Sequence, residues 1–160
     1  MTSKQITIRY EQYASLSEMN STDAALAEAA AEAAGASYAP YSNFNVGAAV
    51  LLEDGTVMKG ANQENDAFPS GLCAERTALF AAGAQHPDKA VRSIAIAGGP
   101  NHTLCDDPAT PCGACRQVMA QFQKKAGAPI SVILYGKSKI LKFDRVDDLL
   151  PLIFTSLDAK

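Results

Sequence analysis

The order of helical and strand-like segments constrains the fold of this 160-residue chain most strongly. Residues 44–52 and 57–63 are two apolar runs that flank Asp54-Gly55, a pair typical of a β-hairpin turn. After this hairpin, helical patterns at 72–83 and 112–126 alternate with buried strand patterns at 91–97 and 130–135. This alternation predicts an α/β fold in which some neighbouring strands are parallel.

Segments nearer the two ends of the chain complete the prediction. Residues 5–10 alternate polar and apolar side chains, as a half-buried strand does. Asn20 and Ser21 are suited to the start of an alanine-rich helix that Gly35 should end. We expect a last short strand at 140–143 and a short helix at 146–150. Residues 1–160 are interpreted as one domain, with 1–20 as an N-terminal extension.

Charge and hydropathy argue against some classes of function. The net charge of −3 argues against a nucleic-acid binder, which needs a basic face to neutralise phosphates. Neither a signal-peptide core nor an uninterrupted membrane-spanning run is present in the sequence. We therefore expect a cytoplasmic protein that uses neither nucleic acid nor membrane as a partner. In that compartment thiols stay reduced, and clustered cysteines more often bind metal than form disulfides.

Three cysteines stand where helices are predicted to begin. Cys112 and Cys115 are three residues apart after Pro111, so both sulfur atoms can reach one cation. Cys73 begins the preceding helix, and the positive end of a helix dipole stabilises a thiolate. Three thiolates on Zn²⁺ leave a fourth position open, which is typical of catalytic zinc. Glu75 lies close enough to serve as a proton carrier there.

Other interpretations of these cysteines remain open at the level of sequence. A C-x-x-C pair at a helix start also occurs in redox proteins. A structural zinc site could use Cys105 as a fourth ligand, although Cys105 has neither the usual spacing nor a helix start. Arg76 and Arg116 are the nearest candidates to offset the charge of three thiolates by hydrogen bonding to sulfur.

The C-A-E and P-C-x-x-C motifs together resemble those of zinc-dependent nucleoside and nucleobase deaminases. Within that class, the chain is similar to the small homotetrameric cytidine deaminases. The similarity runs from about Tyr38 to Phe154 and includes PYSNFNVGAAV, GANQEN, GLCAERTA, PCGACRQVMAQF and DLLPLIF. The resemblance implies a three-layer α/β/α sandwich around a mixed sheet of roughly five strands. It also implies hydrolysis of cytidine and deoxycytidine to uridine and deoxyuridine, with release of ammonia, in pyrimidine salvage.

The resemblance implies a role for each residue that matches a family motif. Zinc, the expected cofactor, is held by Cys73, Cys112 and Cys115, and Glu75 moves protons between water and the base. Phe44 matches the residue that packs against the base, and Asn62 and Glu64 match the pair that binds the sugar hydroxyls. Ala74, Phe68 and Phe154 match further substrate-binding or pocket-bordering positions. Arg76 matches the arginine that hydrogen-bonds the cysteine ligands. Phe68 and Phe154 border the pocket in part across a subunit boundary of the implied homotetramer. Gln63 and Asp66 depart from the usual residues, so the pocket wall near them is not implied.

Three rival functions share some of these features. Nucleic-acid editing deaminases commonly have histidine where Cys73 stands, and they need a basic track that this chain lacks. A deaminase for a nucleoside antibiotic such as blasticidin S shares both motifs, but the Asn62 and Glu64 pair favours an ordinary sugar. In a zinc module that only supports the fold, replacement of Glu75 would leave function unchanged.

Overall fold

The computed structural model describes residues 1–155. In this range the strands are β1 (Glu11–Tyr13), β2 (Phe44–Leu52), β3 (Val57–Ala61), β4 (Val91–Pro100), β5 (Ser131–Tyr135) and β6 (Ile140–Phe143). The α-helices are α1 (Ser21–Ala33), α2 (Ala74–Gln85) and α3 (Gly113–Ala126). The strands form one mixed sheet in the order β1-β6-β5-β4-β2-β3. Strands β4 and β5 are parallel and every other neighbouring pair is antiparallel, which confirms the mixed α/β prediction.

Alternating side chains along the central strands enter two separate cores. Ala48 and Val50 face the core that also contains residues of α2 and α3, whereas Ala49 and Ala95 face the core that contains residues of α1. Strand residues alternate between the two faces of a sheet, so helices cover both faces. The predicted three-layer arrangement is confirmed, with six strands in the described range where roughly five were expected.

Helix α2 packs closely against the hairpin. A side chain at Gly60 of β3 would place its Cβ 2.4 Å from the backbone nitrogen of Ala78. Glycine is therefore needed at this point of contact between strand and helix. The hairpin turn was predicted correctly, and Gly55 has the positive φ of 88° that such turns favour. This packing fixes the start of α2, where Cys73 and Glu75 lie.

The boundaries of several elements differ from the prediction. Helix α1 begins as expected, because the Asn20 side chain accepts a hydrogen bond from the Asp23 amide. It ends at Ala33, and the chain continues into a 3-10 turn, Ala34–Ala36, in which Gly35 is not in a left-handed conformation. Helix α2 continues past Gly83 to Gln85, and β4 continues to Pro100. The helix predicted at 146–150 is only a 3-10 turn, Val146–Asp148.

The strand predicted at residues 5–10 is wrong. Residues 1–10 are exposed and contain no strand, and the edge strand is β1, at Glu11–Tyr13. Its three residues pair with Lys142, Leu141 and Ile140 of β6. An alternating pattern shows which face a strand would bury, but it does not supply a partner for backbone hydrogen bonds. Within the described range, no helix combines the length and apolar character that crossing a membrane requires.

Candidate active site

Two helix starts bring three sulfur atoms together. Cys73 is the residue that caps the N-terminus of α2, Cys112 caps that of α3, and Cys115 lies in the first turn of α3. The Sγ atom of Cys112 lies 3.9 Å from that of Cys73 and 3.6 Å from that of Cys115. Tetrahedral zinc with Zn–S bonds of about 2.3 Å places its sulfur ligands about 3.8 Å apart. The spacing of these donors therefore fits one zinc ion, as the sequence predicted.

The surroundings of the sulfur atoms favour a thiolate. The pKa of Cys73 is lowered to about 5, mainly by a hydrogen bond from the Cys115 thiol and further by Arg76. Because Cys115 is the donor of that hydrogen bond and is buried, its own pKa is raised. Nη2 of Arg76 lies 3.8 Å from the Cys73 sulfur, within reach of the hydrogen bond expected from the sequence. Thiolate is the form of cysteine that binds metal.

Two residues considered from sequence do not join this cluster. Arg116 donates from Nε to the Pro111 carbonyl and from Nη1 to the Leu149 carbonyl, both at 2.8 Å. It holds backbone segments together, and the expectation that it offsets thiolate charge is not supported. Among the described residues, the metal-binding group contains Cys73, Cys112 and Cys115 without Cys105. The alternative of a four-cysteine site is therefore wrong.

Glu75 lies on the first turn of α2 and is almost completely enclosed. Only 4% of its surface is exposed. Burial raises the pKa of its carboxyl group, and the negative charge of the Cys73 thiolate raises it further. Glu75 lines a cavity of about 230 Å³ together with Cys73, Cys112, Phe44 and Asn62. A carboxyl group whose pKa is shifted toward neutrality can both accept and donate a proton near pH 7.

The two predicted sugar-binding residues already have partners within the chain. Asn62 accepts hydrogen bonds at Oδ1 from the Ser37 hydroxyl and the Val46 amide, and its Nδ2 donates to the Phe44 carbonyl. The Glu64 carboxylate accepts from the Tyr41 amide and from the amide and hydroxyl of Ser42. Asn62 lines the inner cavity and also an adjoining outer cavity of about 340 Å³, which Glu64 lines as well.

The aromatic side chains occupy different positions around these cavities. Phe44 is 36% exposed and lines the inner cavity. Phe68 lines the outer cavity and meets the Tyr41 ring edge-on, with the ring centroids 5.7 Å apart. The backbone of Phe154 exchanges hydrogen bonds with the Gln117 side chain, and Phe154 is not among the residues lining either cavity. Within one chain, Phe154 is therefore not brought to the site.

The remaining predicted positions lie close to the cavities. Ala74 is fully buried as the first residue of α2. The Asp66 carboxylate accepts a hydrogen bond from the Tyr41 hydroxyl, and the Gln63 side chain donates to the Ala36 carbonyl. Both departures from the family pattern therefore tie the pocket wall to other segments of the chain.

Several residues at the site have no role predicted from the sequence. Ser42 and Tyr41 bind Glu64, and Ala109 and Thr110 line the inner cavity just before Pro111. Tyr41 and Ser42 lie in the motif around Phe44, so their nearness to that residue was a usable signal. No pattern in the sequence distinguishes Ala109 or Thr110 from ordinary loop residues.

Comparisons with known proteins agree with this geometry. The family model for the cytidine and deoxycytidylate deaminase zinc-binding region matches residues 20–128. A cytidine deaminase of Halalkalibacterium halodurans is 41% identical over 133 residues, which are 83% of this chain and 94% of that protein. A cytidine deaminase of Sporosarcina psychrophila is 39% identical over 121 residues, which are 76% of this chain and 82% of that protein.

Solved structures show the same relationship. The crystal structure of cytidine deaminase from Burkholderia pseudomallei superposes with a TM-score of 0.71 at 41% identity, covering 81% of this chain and 97% of that chain. Cytidine deaminase from Mycobacterium tuberculosis gives a TM-score of 0.64 at 32% identity, covering 82% and 95% of the two chains. The agreement includes the segment that holds the three cysteines and Glu75. The chain therefore belongs to the cytidine and deoxycytidylate deaminase family.

Proposed function

We propose that this protein is a zinc-dependent hydrolase that deaminates cytidine and deoxycytidine to uridine and deoxyuridine. The observation that carries this proposal is the placement of Glu75, which is buried in one cavity beside Cys73 and Cys112. Burial of a carboxyl group costs folding free energy, so a purely structural zinc site gives no reason to keep one there. A deaminase needs such a group to move protons.

Cys73, Cys112 and Cys115 would hold the zinc ion through their sulfur atoms. Sulfur donors favour soft or borderline metal ions, and the separations fit zinc. When bound, zinc acts as a Lewis acid that lowers the pKa of a coordinated water molecule toward neutrality. Arg76 would stabilise the charge that three thiolates bring to the site.

Glu75 performs the acid and base steps in turn. It accepts a proton from the attacking water and delivers it to N3 of cytosine, which makes C4 electrophilic. Addition of the water oxygen to C4 gives a tetrahedral carbon. Glu75 then carries the second proton to the amino group, the C4–N bond breaks, and ammonia leaves with uridine as the other product. Burial raises the pKa of Glu75, which suits both proton transfers.

The outer part of the site would hold the sugar. An ionised carboxylate has about four acceptor positions, and contacts with residues 41 and 42 use three of them on Glu64. Asn62 keeps one amide N–H beyond its bond to the Phe44 carbonyl. Together they can accept from and donate to one hydroxyl group, and we assign this hydroxyl to the 3′ position. Phe44 would pack against the base.

Deamination of several candidate substrates tests the proposal. The absorbance change and ammonia release are measured with cytidine, deoxycytidine, cytosine and adenosine, alongside the zinc content of the same sample. We expect comparable turnover of cytidine and deoxycytidine, since the 2′-hydroxyl is not recognised. Absence of turnover with both nucleosides would contradict the function. A hundredfold preference between them would contradict the assignment of the sugar contacts.

Single-stranded DNA and RNA serve as the comparison for the nucleic-acid alternative. The net charge of −3 does not favour binding of a phosphate backbone, so we expect free cytidine to react and the polymers not to. Blasticidin S in the same assay tests the antibiotic alternative. We further propose a homotetramer with pockets bordered by neighbouring subunits, and a cytoplasmic role in pyrimidine salvage, a compartment in which thiolate ligands stay reduced.

A further inference from the structure

A chain of hydrogen bonds lies behind the cavity, and we call it the Asn45 relay: the His102 amide, Asn45, Ser37 and Asn62. The His102 amide donates to Asn45 Oδ1 at 3.0 Å, and Asn45 Nδ2 donates to Ser37 Oγ at 3.2 Å. The Ser37 hydroxyl then donates to Asn62 Oδ1 at 2.6 Å. Asn45 is only 5% exposed. Of these residues, Asn62 alone lines the cavities.

Backbone groups at both ends of the Asn45 relay fix its direction. A backbone amide can only donate, so the His102 amide requires the oxygen of Asn45 to face it. The nitrogen of Asn45 must then face Ser37, which leaves the Ser37 proton for Asn62. At the other end, the Val46 amide also donates to Asn62 Oδ1 at 2.8 Å. The Asn62 side chain therefore has one allowed orientation, with Nδ2 as its remaining donor.

The turn that supplies the His102 amide is strained. Asn101 and His102 have φ angles of 51° and 57°, in the left-handed region that L-residues seldom adopt. Such conformations persist when surrounding contacts hold them in place. Here one residue with the left-handed conformation, His102, is also the one whose amide donates to the buried Asn45 side chain. The strain thus lies at the start of the Asn45 relay.

We infer that Ser37 and Asn45 are positioning residues that make the site selective for a nucleoside with a 3′-hydroxyl group. This inference rests on the proposed function. Without the Ser37 hydroxyl, Asn62 Oδ1 keeps one donor, the Val46 amide, instead of two, and the amide group is held less firmly. The N–H that should meet the sugar oxygen is then positioned less precisely, although the bonds to Val46 and Phe44 remain. The loss affects the sugar contact and leaves Glu75 and the sulfur atoms untouched.

The test compares deoxycytidine with 2′,3′-dideoxycytidine, which lacks the 3′-hydroxyl. For Ser37→Ala and Asn45→Ala we expect KM for deoxycytidine to rise about tenfold, which is the effect of losing one hydrogen bond to the substrate. We expect kcat to change less than about twofold. KM for the dideoxy analogue should stay within about twofold of the wild type. Ser37→Thr, which keeps a hydroxyl group, should retain most of the selectivity.

Ser93→Ala is the matched control. Ser93 is also buried on the sheet, but it pairs with Leu51 and Ser131 at the far end of β4. Ser93→Ala should leave KM unchanged for both deoxycytidine and the dideoxy analogue. The inference would be overturned if Ser37→Ala and Asn45→Ala changed KM equally for deoxycytidine and the dideoxy analogue, or changed KM for neither. Loss of folding in both relay variants would overturn it too, because it would show that the relay serves stability. Wild-type protein without turnover of deoxycytidine would instead refute the proposed function.

Discussion

Cysteines with the same thiol group have different surroundings here because of where they lie along the chain. Cys73 and Cys112 cap helices, where free backbone N–H groups and the helix dipole favour a thiolate. Cys105 follows β4 in a loop, and its backbone bonds to Gly98 and Lys137. Its sulfur lies outside the cluster of the other three. Position relative to a helix start therefore separates the three clustered cysteines from an ordinary loop cysteine.

Replacing single cysteines tests this distinction. Cys115→Ser should lose most of the bound zinc, because a hydroxyl group replaces one of three thiolates. Cys105→Ser should keep one zinc ion per chain and wild-type activity. Elemental analysis of the purified proteins measures both. Zinc loss in Cys105→Ser together with retention in Cys115→Ser would contradict the assigned ligands.

Residue-scale prediction succeeded where a short motif places groups on one helix turn. Cys73, Glu75 and Arg76 are neighbours in sequence and remain neighbours at the site. The contacts of Ser37 and Ser42 could not be predicted in the same way. They join residues in loops to Asn62 and Glu64, more than twenty positions along the chain. Such contacts depend on how loops meet in three dimensions, which periodicity does not describe.

Helix ends show which local signals determine the elements. Asn20 and Asp23 exchange hydrogen bonds at the start of α1, as expected of a helix cap. Gly127 ends α3 with a φ of 64°, whereas Gly35 follows α1 without a left-handed conformation. A glycine after a helix thus indicated the correct region in both cases but the correct conformation in only one.

Alanine substitutions at these two glycines should have opposite effects. Gly127→Ala forces a side chain into the left-handed region and should destabilise the protein by about 1 kcal/mol. At Gly35 an added Cβ meets nothing within 4 Å. Gly35→Ala should therefore raise the free energy of unfolding by about 0.5 kcal/mol, because alanine lowers the conformational entropy of the unfolded chain. Denaturant unfolding measures both. Stabilisation by Gly127→Ala would show that its conformation is not maintained in solution.

An ion pair connects α1 to strand β6, which lies next to the edge strand β1. Lys142 Nζ lies 2.8 Å from the Asp23 carboxylate, and both side chains are largely buried. The hydrogen bond to Asp23 raises the pKa of Lys142 above 10.5. A group with a raised pKa in the folded state contributes stability below its unfolded pKa, and loses it as the pH rises through the folded value.

Lys142→Met should therefore lower the free energy of unfolding by about 1 kcal/mol near pH 7. This amount lies between the contributions of exposed and buried ion pairs. The cost should decrease as the pH rises above 10.5, where the wild-type lysine loses its charge. Lys59→Met is the matched control, because the Lys59–Glu32 pair is exposed. It should change the free energy of unfolding by no more than about 0.5 kcal/mol. A Lys142→Met cost that did not decline at high pH would contradict this account.

The sequence predicted the layers of the fold but not the edge of the sheet. Apolar runs and helix signals gave the order of the central elements, and the parallel β4–β5 pair follows from the helix between them. Residues 5–10 have a strand pattern without a strand, because the edge of β6 pairs with the next three residues. Selection of a partner depends on the assembled sheet, and no local pattern contains that information.

Exposed aromatic rings bear on assembly: Tyr41 and Phe68 line the outer cavity, and Phe154 lies apart from the site. Tyr41, Phe68 and Phe154 are 49%, 74% and 64% exposed in the single chain. Large exposed apolar side chains indicate an interaction surface. For the proposed homotetramer, light scattering after size-exclusion chromatography should give four times the chain mass of 16.8 kDa. A mass equal to one chain at micromolar concentration would contradict the proposed assembly.

We propose that Glu75 moves protons beside a zinc ion held by three thiolates, and the variant Glu75→Gln tests this role. Glutamine has nearly the same shape but cannot accept and return a proton, so cytidine turnover should fall by roughly 10²- to 10⁴-fold. The variant should keep one zinc ion per chain and its fold, and Glu32→Gln, an exposed control, should remain fully active. A folded, zinc-loaded Glu75→Gln protein with wild-type turnover would contradict the account.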